Sequence, residues 1–150
     1  LTLFWGRDIL AGSFSAHSTQ DPAIHAPFIS SETGGLSTIC EHYERGIRAK
    51  LAGRYQEAAR ELNSCLDLDP TSADAHWQLG LVHGFVGKFE DSLSELRTAV
   101  ELDGSHVKAR IDLAMTYVML GSLEEAKEQF QLVLEADPTN ETALRQIVYL

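Results

Sequence analysis

The sequence predicts an all-α fold of paired helices that repeat every 34 residues. Three observations carry this. Apolar residues recur at three- and four-residue spacing from Ile39 to Leu150, the period of one helix face. Gly53, Gly87 and Gly121 interrupt that pattern at intervals of 34. Aspartate followed by Pro70, Gly104 or Pro138, in LDLDP, VELDG and LEADP, interrupts it again at the same interval. Two further columns keep the register. Ala58, Ser92 and Ala126 are each followed four residues later by Leu62, Leu96 and Phe130, and Gly46, Gly80 and Ala114 form the other. Repetition at this length marks an array in which each unit buries its apolar face against the next.

Residues 1–38 lack the period. They hold Pro22, Pro27, the pair Gly34–Gly35 and six serines, and read as an irregular extension with one short helix near its start. The opening LTLFWG is apolar, but Arg7 and Asp8 interrupt it before a signal-peptide core forms. Because the chain begins with leucine, a processed or incompletely covered N-terminus is expected. The periodic part, 39–150, divides into units at 39–72, 73–106 and 107–140, with the first helix of a fourth at 141–150. In the second unit a helix runs from Ala73 to Val86 and stops at Gly87, since glycine accepts the left-handed backbone that closes a helix. A partner helix runs from about Phe89 to Leu102, ended by the Asp-Gly element; proline ends the equivalent helices because it lacks an amide donor. Thr71 or Ser72, and Thr139 or Asn140, stand where the next helix needs a cap. Ala58, Ser92 and Ala126 are small enough to let the two helices of a unit approach closely.

Helix–turn–helix units of 34 residues with these columns resemble tetratricopeptide repeats. The third unit matches best, with Leu113, Tyr117, Ala126, Phe130 and Pro138 in the family's places. Trp77 stands one place later than the usual tryptophan, Arg45 replaces a usual leucine and Gly104 replaces a proline. The resemblance implies a right-handed α-solenoid whose first helices line a concave groove. Tyr43, Ile47, Leu51, Trp77, Leu81, Phe85, Ile111, Met115 and Met119 would line it, an almost wholly apolar face. Nine such positions exceed the few hundred Å² that a monomer usually leaves uncovered. An amphipathic or extended segment of another protein is one cover, and flexible methionines suit such a surface. Chaperone-binding members of the family hold a C-terminal carboxylate with lysine, asparagine and arginine. The matching positions here are Tyr43, Ile47, Gln78, Lys108 and Asp112, of which only Lys108 agrees, so no such clamp is expected.

The extension competes for the groove. Leu3, Phe4, Trp5, Ile9, Leu10, Phe14, Ile24, Phe28 and Ile29 are too apolar for a free tail. Burying each large side chain is worth roughly 1.5–3 kcal/mol, so residues 1–38 are expected either to cap the first repeat or to fill a groove. The closing IVYL lies in a helix without a partner helix, and leaves open either a longer protein or dimerisation through that helix.

Composition excludes several functions. A net charge of −10, from 22 acidic and 12 basic residues, repels nucleic acid. No apolar run reaches the roughly 18 residues of a membrane span. Cys40 and Cys65 are too few for a disulfide framework and read as reduced thiols in helices, suited to the cytoplasm, with periplasmic or membrane-associated settings left open. His76 and His83 lie seven apart, yet His42 repeats the place of His76, which favours packing over metal. No phosphate loop, nucleophile elbow or metal motif occurs, so no cofactor, metal or catalytic residue is expected. The expectation is a protein-interaction scaffold or assembly subunit; the alternative is a regulatory or substrate-recruiting domain of a longer enzyme.

Overall fold

The computed structural model describes residues 32–150, and the apolar residues Leu3 to Ile29 lie outside them. Among the described residues there are seven helices and no strand. They are α1 (Glu32–Leu51), α2 (Tyr55–Leu68), α3 (Ala73–Phe85), α4 (Phe89–Leu102), α5 (Val107–Leu120), α6 (Leu123–Ala136) and α7 (Glu141–Ile147). Each packs on the next as an antiparallel hairpin or seam, giving a stack of helix pairs. Helix α1 starts ahead of the unit boundary at Ile39, so 32–38 are helical rather than irregular. Gly34 and Gly35 disfavour that turn, but a helix propagates outward from a packed segment more readily than it nucleates.

The turns inside each unit share one geometry. Gly53, Gly87 and Gly121 have φ of 72°, 78° and 78°. The following amides of Arg54, Lys88 and Ser122 reach back to the carbonyls of Ala49, His83 and Tyr117 at 2.9 Å, satisfying carbonyls that the helix end leaves free. The Asp-Pro and Asp-Gly corners are built alike. Asp69, Asp103 and Asp137 accept from the backbone and hydroxyl of Thr71, Ser105 and Thr139. That leaves the caps to Ser72 and Asn140, which accept from Ala75 and Ala143, deciding between the two candidates at each place. His106 caps α5 by accepting from Ala109 through Nδ1.

The core follows the repeated columns. Ala58, Ser92 and Ala126 are fully buried between the helices of their units, as are Leu62, Leu96 and Phe130 one turn further along the same helices. A Cβ placed on Gly80 would lie 2.7 Å from the Leu96 Cγ, and one on Gly46 would lie 2.8 Å from the Leu62 Cγ. Close approach therefore favours glycine there. In the third unit Ala114 takes the place, opposite Phe130 in place of leucine.

The histidines brace the pairs. His42 Nδ1 meets Glu61 at 2.7 Å and His76 Nδ1 meets Glu95 at 2.7 Å. In the third unit Arg110 donates to Gln129 at 3.1 Å. The outer ends repeat too: the His76 Nε2 donates to the Pro70 carbonyl and Arg110 to that of Gly104. This column thus joins the two helices of each unit, through partners that spacing alone does not reveal. Among the described residues no cluster of metal-ligating side chains forms, and none of the helices is long and apolar enough to cross a membrane.

Candidate partner-binding groove

Contacts join α1 directly to α3 and α3 to α5, with none comparable between α2 and α4 or α4 and α6. The odd-numbered helices therefore touch one another along one side of the stack, where their outer faces adjoin. The nine positions expected on that face fall into three columns. Tyr43, Trp77 and Ile111, and Ile47, Leu81 and Met115, are half-buried. Leu51, Phe85 and Met119, next to the glycine turns, are 79%, 61% and 64% exposed. None of the nine is buried in the core, although Tyr43, Ile111 and Met115 pack partly against it. Phe85 stacks on Tyr55 at 5.5 Å between centroids.

Leu81, Phe85, Met115 and Met119 surround a cleft of about 210 Å³ between α3 and α5. Gly80 and Gly84 leave it room, and Ser92 and Thr116, whose hydroxyls lie 3.5 Å apart, also line it. Asp112 lines it as well. The Trp77 indole donates to the Asp112 carboxylate at 2.7 Å. Burial pushes the Asp112 carboxyl above its ordinary value, against the pull of the Trp77 hydrogen bond, His106 and Lys50.

The face is more polar than its three apolar columns imply. Lys50 donates to the buried Gln78, and burial lowers the Lys50 pKa, against the pull of Asp112. The Tyr43 hydroxyl is held up by burial and by Asp74. At the far edge His106 donates to Asp74 at 3.0 Å and meets Trp77 edge-on at 4.8 Å, with the Lys108 ammonium 5.9 Å above the indole. The signal for the polar column is present in the sequence. Glu44, Gln78 and Asp112 recur at 34, each directly after a member of the first apolar column.

Cys40 and Cys65 are both free, the first exposed and the second buried, and both border a hollow with Tyr43 and Asp74. Burial raises the Cys65 thiol. At the last helix, Leu144, Val148 and Tyr149 are exposed, whereas Ile147 and Leu150 pack on the core around Phe130.

Two family profiles match the chain, one described as a tetratricopeptide repeat over residues 86–148 and one as a TPR repeat over 51–84. Comparison with curated protein sequences yields no match. Among solved structures, the first TPR of Spaghetti (RPAP3) bound to the HSP90 peptide SRMEEVD is similar at 26% identity and a TM-score of 0.72, over 75% of this chain and 90% of that one. The second TPR domain of human RPAP3, in complex with the HSP70 peptide SGPTIEEVD, is similar at 25% identity and 0.73, over 77% and 97%. MamA shares the fold at 21% identity and 0.71, over 77% and 67%.

Proposed function

Because this chain belongs to the tetratricopeptide repeat family, we propose that it is a non-catalytic scaffold or assembly subunit holding an apolar helical or extended segment of another protein in its concave groove. The observation that carries the proposal is the exposed column Leu51, Phe85 and Met119 beside the apolar cleft. Three large side chains repeat there although the fold does not need them buried. The similar RPAP3 domains, whose structures hold chaperone peptides, support the use of this fold for peptides. They do not carry over the ligand. Where family members that clamp a terminal carboxylate place cations and asparagine, this chain has Tyr43, Ile47, Gln78 and Asp112 beside the single Lys108.

Residues 1–38 are the competing occupant, as a cap on the first repeat or as an intramolecular ligand. A photoreactive residue in place of Leu81 tests both ideas in native extract, with one at the exposed Glu101 as convex-face control. Groove-specific crosslinks to another protein are expected. Equal capture by the Glu101 control refutes the groove. Crosslinks that appear only after removal of residues 1–31 identify a self-filled groove.

A further inference from the structure

The repeats allow one part of the groove to be compared with another part of the same molecule. Every residue lining the cleft between α3 and α5 has a counterpart 34 positions earlier, in the seam between α1 and α3. Gly80, Leu81 and Phe85 correspond to Gly46, Ile47 and Leu51; Met115, Thr116 and Met119 correspond to Leu81, Val82 and Phe85. One pairing is broken. Where the first seam has Lys50 donating to Gln78, the second has Gly84 facing Asp112. The side chain that fills the first seam is missing from the second, and the neutral acceptor has become a carboxylate.

Among the described residues, the Asp112 carboxylate receives a hydrogen bond only from Trp77 and joins no ion pair. His106 is occupied by Asp74 and Ala109, and Lys50 by Gln78. A half-buried carboxylate at an apolar cleft favours a cation that brings its own apolar stem, because low polarity strengthens the charge-assisted bond.

We propose that the cleft between α3 and α5 receives a lysine side chain from the bound partner, with its stem between Leu81, Phe85, Met115 and Met119 and its ammonium on Asp112. The inference rests on the groove reading and adds the chemistry of its occupant: an apolar segment carrying a basic residue, unlike the net-acidic peptides in the similar RPAP3 complexes. Asp112 is then the residue that sets specificity, and Gly84 is what keeps the socket open.

A displayed library of random amphipathic peptides, selected on the full chain, tests this. Selected peptides should carry one lysine among apolar residues. Exchanging that lysine for norleucine, which keeps the stem and removes the charge, should weaken binding to the unmodified chain by about tenfold or more. The same exchange should change binding to Asp112→Asn by less than about threefold, since only the charged acceptor is gone. Gly84→Lys, which copies Lys50 into a position with room for a Cβ, should remove the preference by filling the socket from within. Its circular dichroism should match that of the unmodified chain. Apolar peptides that lose binding on Phe85→Ser but show no preference for lysine, or prefer acidic ends, overturn the inference and leave the groove intact. Selected peptides indifferent to Phe85→Ser overturn the groove itself and the inference with it.

Discussion

Gly80 and Gly84 lie one turn apart on α3 and should respond oppositely to the same substitution. In a helix interior, glycine is about 1 kcal/mol less favourable than alanine, so Gly→Ala gains about that much wherever a methyl fits. At Gly84 a Cβ would meet only the Ser92 hydroxyl at 3.5 Å, an ordinary contact. At Gly80 it would lie 2.7 Å from the Leu96 Cγ and 3.3 Å from the Ser92 carbonyl. Leu96 is 1% exposed, and its Cγ and the Ser92 backbone can yield only if the facing helix shifts, so overpacking of about 1–3 kcal/mol opposes the gain. Gly84→Ala should therefore stabilise by about 1 kcal/mol, and Gly80→Ala should be neutral or cost up to about 2 kcal/mol. At roughly 4 °C per kcal/mol, the two midpoints should stand about 4–12 °C apart in thermal unfolding followed by circular dichroism. The Gly80→Ala/Leu96→Phe double variant, which copies Ala114 and Phe130 of the third unit, should recover part of the loss. Equal midpoints for the single variants, or a more stable Gly80→Ala, would refute close approach as the reason for the glycine column.

Other outcomes follow from the same geometry. Asp112→Asn keeps an acceptor for Trp77 and removes a carboxylate whose folded pKa is raised, so it should stabilise the chain at neutral pH. The sign is set by linkage: the folded protein binds the proton more tightly, stability from this group falls as pH rises through its folded pKa, and the variant's advantage should vanish below about pH 4. Asp103 and Asp137 behave oppositely, because hydrogen bonds from Ser105 and Thr139 hold their folded pKa values down. Their contribution is present above the unfolded value and lost as pH falls through the folded one, so Asp137→Asn should flatten the acid limb of a pH–stability curve. Ser72→Ala and Asn140→Ala should each cost about 1 kcal/mol in urea unfolding, while Thr71→Ala and Thr139→Ala cost less. His76→Leu should cost about 1 kcal/mol by stripping Glu95 of its partner, whereas His76→Arg, which copies Arg110 of the third unit, should be better tolerated.

Some of this is legible in the chain and some is not, for a physical reason. Gly53, Gly87 and Gly121 announce their turns because positive φ restricts the residue type, and α4 runs from Phe89 to Leu102, as the apolar period indicates. These are local constraints. The carboxylate partners of His42 and His76 lie nineteen residues away on the facing helix, at a separation fixed only once two helices have docked. The start of α1 is hidden for the opposite reason: the local signal at Gly34–Gly35 points to a break, and propagation from the packed helix overrides it. Ser72 and Thr71 are equivalent as caps until Asp69 claims the threonine. The nine groove positions can be grouped by spacing, but not ranked; packing leaves the third column the most exposed.

In a repeating chain, a column that keeps its residue type and one that loses it carry different information. Glycine persists at the turns because three corners need the same backbone, and the small residues persist because three helix pairs need the same approach. Neither requirement concerns a partner. The Lys50 column has no such demand on it, and it runs lysine, glycine, valine across the three units. Its neighbour runs Glu44, Gln78, Asp112, changing charge over the same face. Where both columns change together, at Gly84 and Asp112, the backbone is undisturbed but the groove gains a cleft with a carboxylate beside it. Stability gives no account of that combination: filling the gap from Gly84 and neutralising Asp112 should each favour the folded chain. A pair of positions that both stand below their stability optimum, lining one opening between α3 and α5, is where a binding function would hold them.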